Sequence, residues 1–469
     1  MIEQALMQLS NAVTLFEKPV VTGIKGVAID TRLLKPGELF IALPTEIRDG
    51  HDFIGVAVER GAKALLVSRD ATDLPPIPND IWIIQVPDTY LALRELGIWF
   101  RKNVLKVPVV ALTGSYAKTT VRTFATEILK ELGDGLITSG NYNNLLGVPL
   151  TLMVAKPVHN FGLFELGMNR YNEIAELTKM CEPDFGLITH IGRAHLEFFG
   201  SEWGVAQAKG ELFAEMKPTA MRLVNLDDPF IRDLAVQYPG TNDIGYTLEG
   251  DNHGFHGEVI HARAISPDEK GRFGIRIGET SIRSPLPGRH HCENLIAAAV
   301  IGIAMEIPLM RIAERISLLR EVPMRGQVLN IGGVQLIRDE YNASLHSMAA
   351  ALELLADLPN VRRRIAVLGD IFELGKWARL DHEMLADIIV KKNINAVYLT
   401  GEMCRYTLEK LIDEDVRNVF YFEEVDSLIE QLLLTVAPED AVLVKGSRGM
   451  KLERVSEALI AFMREKENA

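Results

Sequence analysis

The sequence predicts an α/β protein built of three domains in series. The first observation is length: 469 residues, at roughly 100–200 residues per domain, leave room for two to four units. The second is the regular alternation of short β-like runs with helical stretches from one end of the chain to the other. The third is the segment "VPVVALTGSYAKTT", an apolar run that passes through a small polar turn into Lys118, Thr119 and Thr120 and then a helical stretch. Hydrophobic residues make up 48% and charged residues 24%, the balance of an ordinary globular protein. The net charge of −13 argues against a broad nucleic-acid or anionic-membrane surface but allows a local basic pocket for phosphates.

Residues 1–106 carry the β-like runs "GVAID", "GELFIAL", "KALLVS" and "DIWIIQV" between the helical stretches "DFIGVAVERGA" and "YLALRELGIWFRKN". They read as a small α/β domain, with "RKNVLKVP" as its exit. Residues 107–320 begin with the strand at Val109 and continue through "GLFELG", "FGLITHIG" and "AMRLVNLDD". That order predicts a mostly parallel sheet with helices on both faces, followed by two helices in "LPGRHHCENLIAAAVIGIAMEIPLMRIAERISLL". Residues 321–469 open near "VPMRG" and alternate again. "QLIRDEY", a helix over 347–358, "RIAVLGD", a helix near 382–392, "AVYLTG", "AVLVKGSRG" and a closing helix give the order of a Rossmann-like sheet. Cys181, Cys292 and Cys404 lie too far apart for a zinc or redox motif and read as buried thiols. No signal peptide is visible, and the longest apolar run, Leu295–Met305, is too short to span a bilayer. A cytoplasmic protein with no membrane span and no nucleic-acid partner is expected.

A phosphate loop needs backbone N–H groups at a helix N-terminus, a lysine for charge and a Ser/Thr hydroxyl for Mg²⁺. Gly114, Ser115, Ala117, Lys118, Thr119 and Thr120 offer these, except that Ala117 stands where glycine is usual. A left-handed backbone at Ala117 would cost roughly 1–2 kcal/mol, whereas a right-handed one would cost little. On this loop alone, a plain strand–turn–helix junction is an equal reading. Glu165 ends a β run in the same sheet, where ligands bind in open α/β folds, and could hold Mg²⁺ with Thr119. His195 follows another β run and Lys209 sits on a helical stretch. Taken singly, each of the three is an ordinary surface or structural residue.

Together, in order and along nearly the whole chain, these segments resemble the Mur ligase family, and most closely its branch that joins D-alanyl-D-alanine to a UDP-N-acetylmuramoyl tripeptide. "AIDTRLLKPGELFIALPTEIRDGHDFI" resembles that branch's uridine-nucleotide domain. "GNYNNLLGVPLTLM", "FELGMNRYNEIAELT", "THIGRAHLEFFGS" and "AKGELF" resemble its ATPase domain, and "VLGDIFELG" and "VLVKGSRGMKLE" its C-terminal domain. The resemblance implies an ATP-dependent amide ligase working through an acyl phosphate. It implies ATP and two Mg²⁺ ions, a UDP-linked muramoyl peptide and a dipeptide as substrates, and a monomer. By position, Lys118 holds ATP phosphates, and Thr119, Glu165, His195 and Lys209 serve the metals. Lys209 matches a lysine that is carbamylated in many members. Lys118, Lys209 and His195 are the implied catalytic set. Asn294 falls at the adenine, Asp339 at the ribose or its surroundings, and Arg325 near the phosphates. Thr31, Arg32, Asp49, Gly50 and His51 fall in the uridine-nucleotide segments, and Asn143 and Asn144 at the muramoyl-peptide cleft.

Departures from the family cluster at these positions. Besides Ala117, Gln327 replaces an arginine, giving up both its charge and its planar donor fork. His190 and His291 stand where asparagine is common, "RDEYNASLHSM" keeps only Asp339, Tyr341 and Asn342 of the branch's central residues, and Lys376 replaces an acid. A diverged ligase with another acceptor, or a nucleotide-binding paralogue with little turnover, therefore remain as alternatives.

Overall fold

In a computed structural model of the chain, residues 1–14, 22–319, 324 and 326–468 are described. Three sheets organise them. The N-terminal sheet runs Val13–Thr14, Trp82–Gln85, Ala64–Val67, Leu39–Ile41, Val27–Ala28, with the first pair antiparallel and the rest parallel. The long helix Thr89–Asn103 starts where the Asp88 carboxylate accepts the N–H groups of Tyr90 and Leu91, satisfying donors that the first turn cannot. Gly97 lets this helix close on the helix Gly147–Met153, since a Cβ there would lie 2.7 Å from Pro149. The buried Arg101 guanidinium reaches the carbonyls of Cys181, Leu105 and Glu182, so the first sheet's helix is stitched to the middle of the chain.

The central sheet holds nine strands. From Gly135–Ile137 it runs through Phe161–Glu165, Val109–Thr113, Phe185–Ile188, Met221–Asn225 and Ile244–Leu248 to Glu258–Ile265, all parallel. An antiparallel extension, Gly274–Ile277 and Thr280–Arg283, closes one edge. The expected two helices appear as His291–Ala304 and Leu309–Ser317. The strands from Ile244 onward are not evident as apolar runs. Glu258–Ile265, for instance, has only one buried residue, Ala262, so although it is paired on both sides its pattern is that of a half-solvated strand rather than a core strand.

The C-terminal sheet runs Gln327–Ile331, Val334–Arg338, Asp440–Lys445, Arg363–Gly369, Ala396–Thr400, Val419–Phe422, parallel except for the first pair. Its helix Leu345–Asp357 begins with a reciprocal Ser344–Ser347 cap. This sheet is tied to the central one by Arg193, whose guanidinium lies 2.5 and 2.8 Å from the fully buried Asp381 and 5.2 Å from the Trp377 ring centre. The Trp377 indole N–H donates to the Gly200 carbonyl at 3.0 Å. The three cysteines are free and buried. Asp370, His382 and Cys404 lie within 4.8 Å of one another, but they form a structural hub. Asp370 accepts the N–H groups of Met403 and Cys404, and His382 uses Nδ1 on the Ala378 carbonyl and Nε2 on the Ile371 N–H. Among the described residues no helix is long and apolar enough to cross a membrane.

Candidate active site

The strand Val109–Thr113 lies between Phe161–Glu165 and Phe185–Ile188. The chain leaves it toward one edge and later builds the other side, which makes the crevice at its C-terminal end the place where an open α/β sheet accepts a ligand. Gly114 is required there, because a Cβ would lie 1.9 Å from Thr189 Oγ1. The loop is pinned to the neighbouring strand's exit. Ser115 N–H donates to the His190 carbonyl (2.8 Å), Ser115 Oγ accepts from Gly192 N–H (3.0 Å), and Thr189 Oγ1 donates to the Tyr116 carbonyl (2.6 Å). Ser115 is thereby committed to the protein itself. The N–H groups of Tyr116 and Ala117 donate to no other described residue. Lys118 opens the helix Lys118–Leu129, and its Nζ lies 2.5 Å from the Gly114 carbonyl.

Ala117 answers the question left open by the sequence. Its φ is +65° and ψ −9°, the left-handed conformation in which a Cβ costs roughly 1–2 kcal/mol. Glycine would remove that strain but lose about 0.5–1 kcal/mol through its freer unfolded chain. Ala117→Gly is therefore expected to raise stability by up to about 1 kcal/mol, measured as a higher midpoint in denaturant unfolding; a clear loss would contradict the strain assignment.

Next to the loop, Glu165 is 3% exposed at the end of its strand. Thr119 Oγ1 donates to one carboxylate oxygen (3.0 Å), Asn143 Nδ2 to the other (3.0 Å), and the Arg122 guanidinium lies 3.1 Å away. Lys209, on the helix Glu202–Glu215, is 1% exposed. Burial pushes its pKa well below the ordinary lysine value, the Lys118 charge adds to this and the Glu165 charge opposes it. His195 takes a left-handed φ of +57° before the short helix Leu196–Phe199. Its Nδ1 lies 2.6 Å from Glu373 Oε2, an ion-pair distance rather than an aligned hydrogen bond. Burial lowers the His195 pKa, against the raising effect of Glu373.

These groups share one cavity of about 640 Å³ with residues of the C-terminal sheet. Thr120, Asn143 and Asn144 line it as well. Across from the loop, Asn294 Nδ2 lies 3.1 Å from His291 Nδ1, and His291 Nε2 is buried with no partner among the described residues. Asp339 accepts the Gly326 N–H (3.1 Å) and pairs with Lys445 (2.6 Å), a lysine 2% exposed that also donates to the Asn342 carbonyl (2.9 Å). Arg325 lies outside the described residues. Gln327 opens its strand and does not line the cavity. Lys376 places its ammonium 5.3 Å from the Trp377 ring centre, beside the junction of the two sheets.

Thr31, Arg32, Asp49, Gly50 and His51 do not line this cavity. His51 is buried, with Nδ1 2.6 Å from Asp49 and Nε2 accepting the Ser68 N–H at 2.8 Å, and Asp49 also pairs with Arg69 at 2.7 Å. A Cβ on Gly50 would lie 2.5 Å from Leu43 N. The Thr31 carbonyl accepts from Arg60 at 2.8 Å, while Arg32 is exposed and paired with Asp30. Sequence reasoning did not single out Tyr116, Arg122, His346, Glu373 or Lys445, all of which except Arg122 line the cavity. Arg122 had a signal: it lies one helical turn beyond Lys118, on the same face.

Comparison with known proteins places three Mur ligase segments on this chain. The Mur ligase family catalytic domain matches residues 23–97, the Mur ligase middle domain residues 112–302, and the Mur ligase glutamate ligase domain residues 324–448. The chain is 34% identical over 442 residues to the UDP-N-acetylmuramoyl-tripeptide--D-alanyl-D-alanine ligase of Escherichia coli strain K12, covering 93% of this chain and 94% of that protein. It is 31% identical over 444 residues to the protein of the same name from Bacillus subtilis strain 168, covering 94% of each. The crystal structure of MurF from Acinetobacter baumannii superposes with a TM-score of 0.86 at 27% identity, covering 98% of both chains.

Proposed function

The chain belongs to the Mur ligase family, and from that premise we propose that it joins D-alanyl-D-alanine to a UDP-N-acetylmuramoyl tripeptide in peptidoglycan precursor synthesis, as an ATP-dependent ligase. The observation that carries this reading is one cavity into which Lys118, Thr119, Glu165, His195 and Lys209 converge, facing Asn294 and Asp339. We assign residues 1–106 to the UDP-linked substrate, 107–320 to ATP, and 321–469 to ligation. The roles of the exposed Arg32 and its neighbours, and of Asn143 and Asn144, at the UDP-linked peptide belong to this assignment. The reading places the enzyme in the cytoplasm, where ATP is supplied. It treats the enzyme as a monomer.

The donor set fits Mg²⁺. A hydroxyl at Thr119 and a buried carboxylate at Glu165 are hard oxygen ligands, with His195 nearby as a nitrogen ligand. Bound there, two Mg²⁺ ions would neutralise charge on the transferring phosphoryl group. Lys209 suits them only as an anion. Its buried amine, held toward the neutral form, can attack CO₂, forming an N–C bond and releasing a proton to leave a carbamate with anionic oxygens. ATP fits the opposite wall, where the unpartnered His291 Nε2 and the Asn294 amide offer polar contacts to a base, while Lys118 and the Tyr116 and Ala117 N–H groups serve phosphates.

In the reaction, the terminal carboxylate of the UDP-linked peptide takes ATP's γ-phosphoryl group, ADP leaving, to give an acyl phosphate. The dipeptide amine attacks its carbonyl, and phosphate leaves as the amide forms. Asn143 and Arg122 hold Glu165, and Glu373 holds His195. The contacts Arg193–Asp381 and Trp377–Gly200 keep the two halves of the site together and help to exclude water from the intermediate. Phosphate release is the direct check. It is expected only when Mg-ATP, the UDP-linked tripeptide and D-alanyl-D-alanine are all present. Release with other acceptors but not with the dipeptide would point to a diverged ligase, and nucleotide binding without turnover on any acceptor to an inactive paralogue.

A further inference from the structure

The residue before Ala117 is held on both faces. The Tyr116 ring stacks on His190, with centroids 4.7 Å apart and planes at 10°, and on His346, at 4.0 Å and 17°. Its edge packs against Gly192, where an added Cβ would lie 3.1 Å from the ring, and its carbonyl is fixed by the Thr189 hydroxyl. His190 follows a central-sheet strand, whereas His346 sits in the first turn of the helix Leu345–Asp357 of the C-terminal sheet. Burial pushes the His190 imidazole down to about 3, and its Nε2 lies 3.5 Å from Glu293 Oε2.

This arrangement meets a need that the loop itself creates. A glycine before Lys118 would adopt the left-handed shape freely, but Ala117 must be kept in it against strain. Two stacked ring contacts on the preceding residue are together of the size of that strain. We propose that Tyr116 is a positioning residue for ATP: clasped between His190 and His346, it holds Ala117 left-handed and so presents the loop's N–H groups to phosphate, with docking of the C-terminal domain completing the clasp. The proposal rests on the reading of this loop as the ATP phosphate site.

The test is a double-mutant cycle on the full chain, reading Mg-ATP dissociation constants by calorimetry alongside kcat and KM. Tyr116→Ala is expected to weaken Mg-ATP about tenfold, acting on KM more than on kcat. Tyr116→Phe, which keeps the ring, should rescue affinity to within about twofold of the parent, and His346→Ala, remote in sequence from the loop, should weaken it about threefold. In an Ala117→Gly background both alanine substitutions should lose most of their effect, because glycine needs no clasp. Equal losses in the two backgrounds, or binding that ignores Tyr116→Ala, would overturn the proposal alone. Failure of the unmodified protein to bind Mg-ATP would overturn the phosphate-site reading and the proposal with it. Should Tyr116→Ala not fold, the His346→Ala arm carries the same comparison.

Discussion

Replacing Lys118 with alanine is expected to lower ligase turnover on the order of 10³-fold, while the fold persists. The lysine does two things. Its ammonium lies over the loop, against the Gly114 carbonyl, where it can neutralise charge on a phosphoryl group moving between two oxygens. Its charge also helps to hold the buried Lys209 toward the neutral amine, so its loss reaches the Lys209 side of the cavity. The two effects make the variant more damaging than its contacts suggest, and non-additive with changes at Lys209. Single-turnover rates and Mg-ATP affinity measured together check this. The neighbouring Ala117→Gly should change ATP KM by far less than Lys118→Ala changes turnover. Equal losses in the two variants would mean that loop shape, rather than the lysine's charge, limits catalysis.

Lys209→Arg is the second large effect, with an expected loss of about 10²–10³-fold in kcat. Arginine matches a protonated lysine in charge and roughly in length, so a surface or merely electrostatic lysine would tolerate the change. A guanidinium stays charged and cannot add CO₂. In a site 1% exposed beside Glu165, it would put a fixed positive charge where the proposed role needs an anionic oxygen. Depleting CO₂ should slow the parent enzyme and bicarbonate should restore it, whereas Lys209→Arg should respond to neither. A ¹³C signal from labelled bicarbonate, present in the parent and absent in the variant, reports the carbamate directly. A parent enzyme indifferent to CO₂ and lacking that signal would remove the carbamate from the account.

What could be read from the sequence was whatever is local along the chain. The strand–loop–helix around Lys118, the strand ending in Glu165 and the buried helix His291–Ala304 each announce themselves within about a dozen residues. The Rossmann-like order of the third sheet was legible for the same reason, though its helix begins at Leu345 rather than at residue 347. The backbone at Ala117 was not legible, because either handedness suits the same letters. Nor was the clasp around Tyr116, whose partners follow a strand of the central sheet and open a helix packed on the C-terminal sheet. Arg193 and Asp381, 188 residues apart, meet only when the central and C-terminal sheets dock. The antiparallel edge at 274–283 carries an alternating pattern that buries Ile275, Ile277 and Ile282, a period-two signal that was missed because the strands are only four residues long. Asp49 and His51 were singled out only through the family resemblance, and their engagement with Ser68 and Arg69 emerges only in three dimensions.

The departures from the family pattern at Ala117, Gln327, His190, His291 and Lys376 all bear on one claim, that the chain is a working D-alanyl-D-alanine-adding ligase. The left-handed Ala117, Lys118 poised on the Gly114 carbonyl, the Thr119–Glu165 and Arg122–Glu165 contacts and the buried Lys209 favour it. The most direct measurement is the mass of the product formed from UDP-N-acetylmuramoyl tripeptide, D-alanyl-D-alanine and Mg-ATP. The account predicts a species heavier than the tripeptide substrate by one dipeptide less one water, formed in step with phosphate. Phosphate without that species, or a product formed only from a different amine, would contradict it.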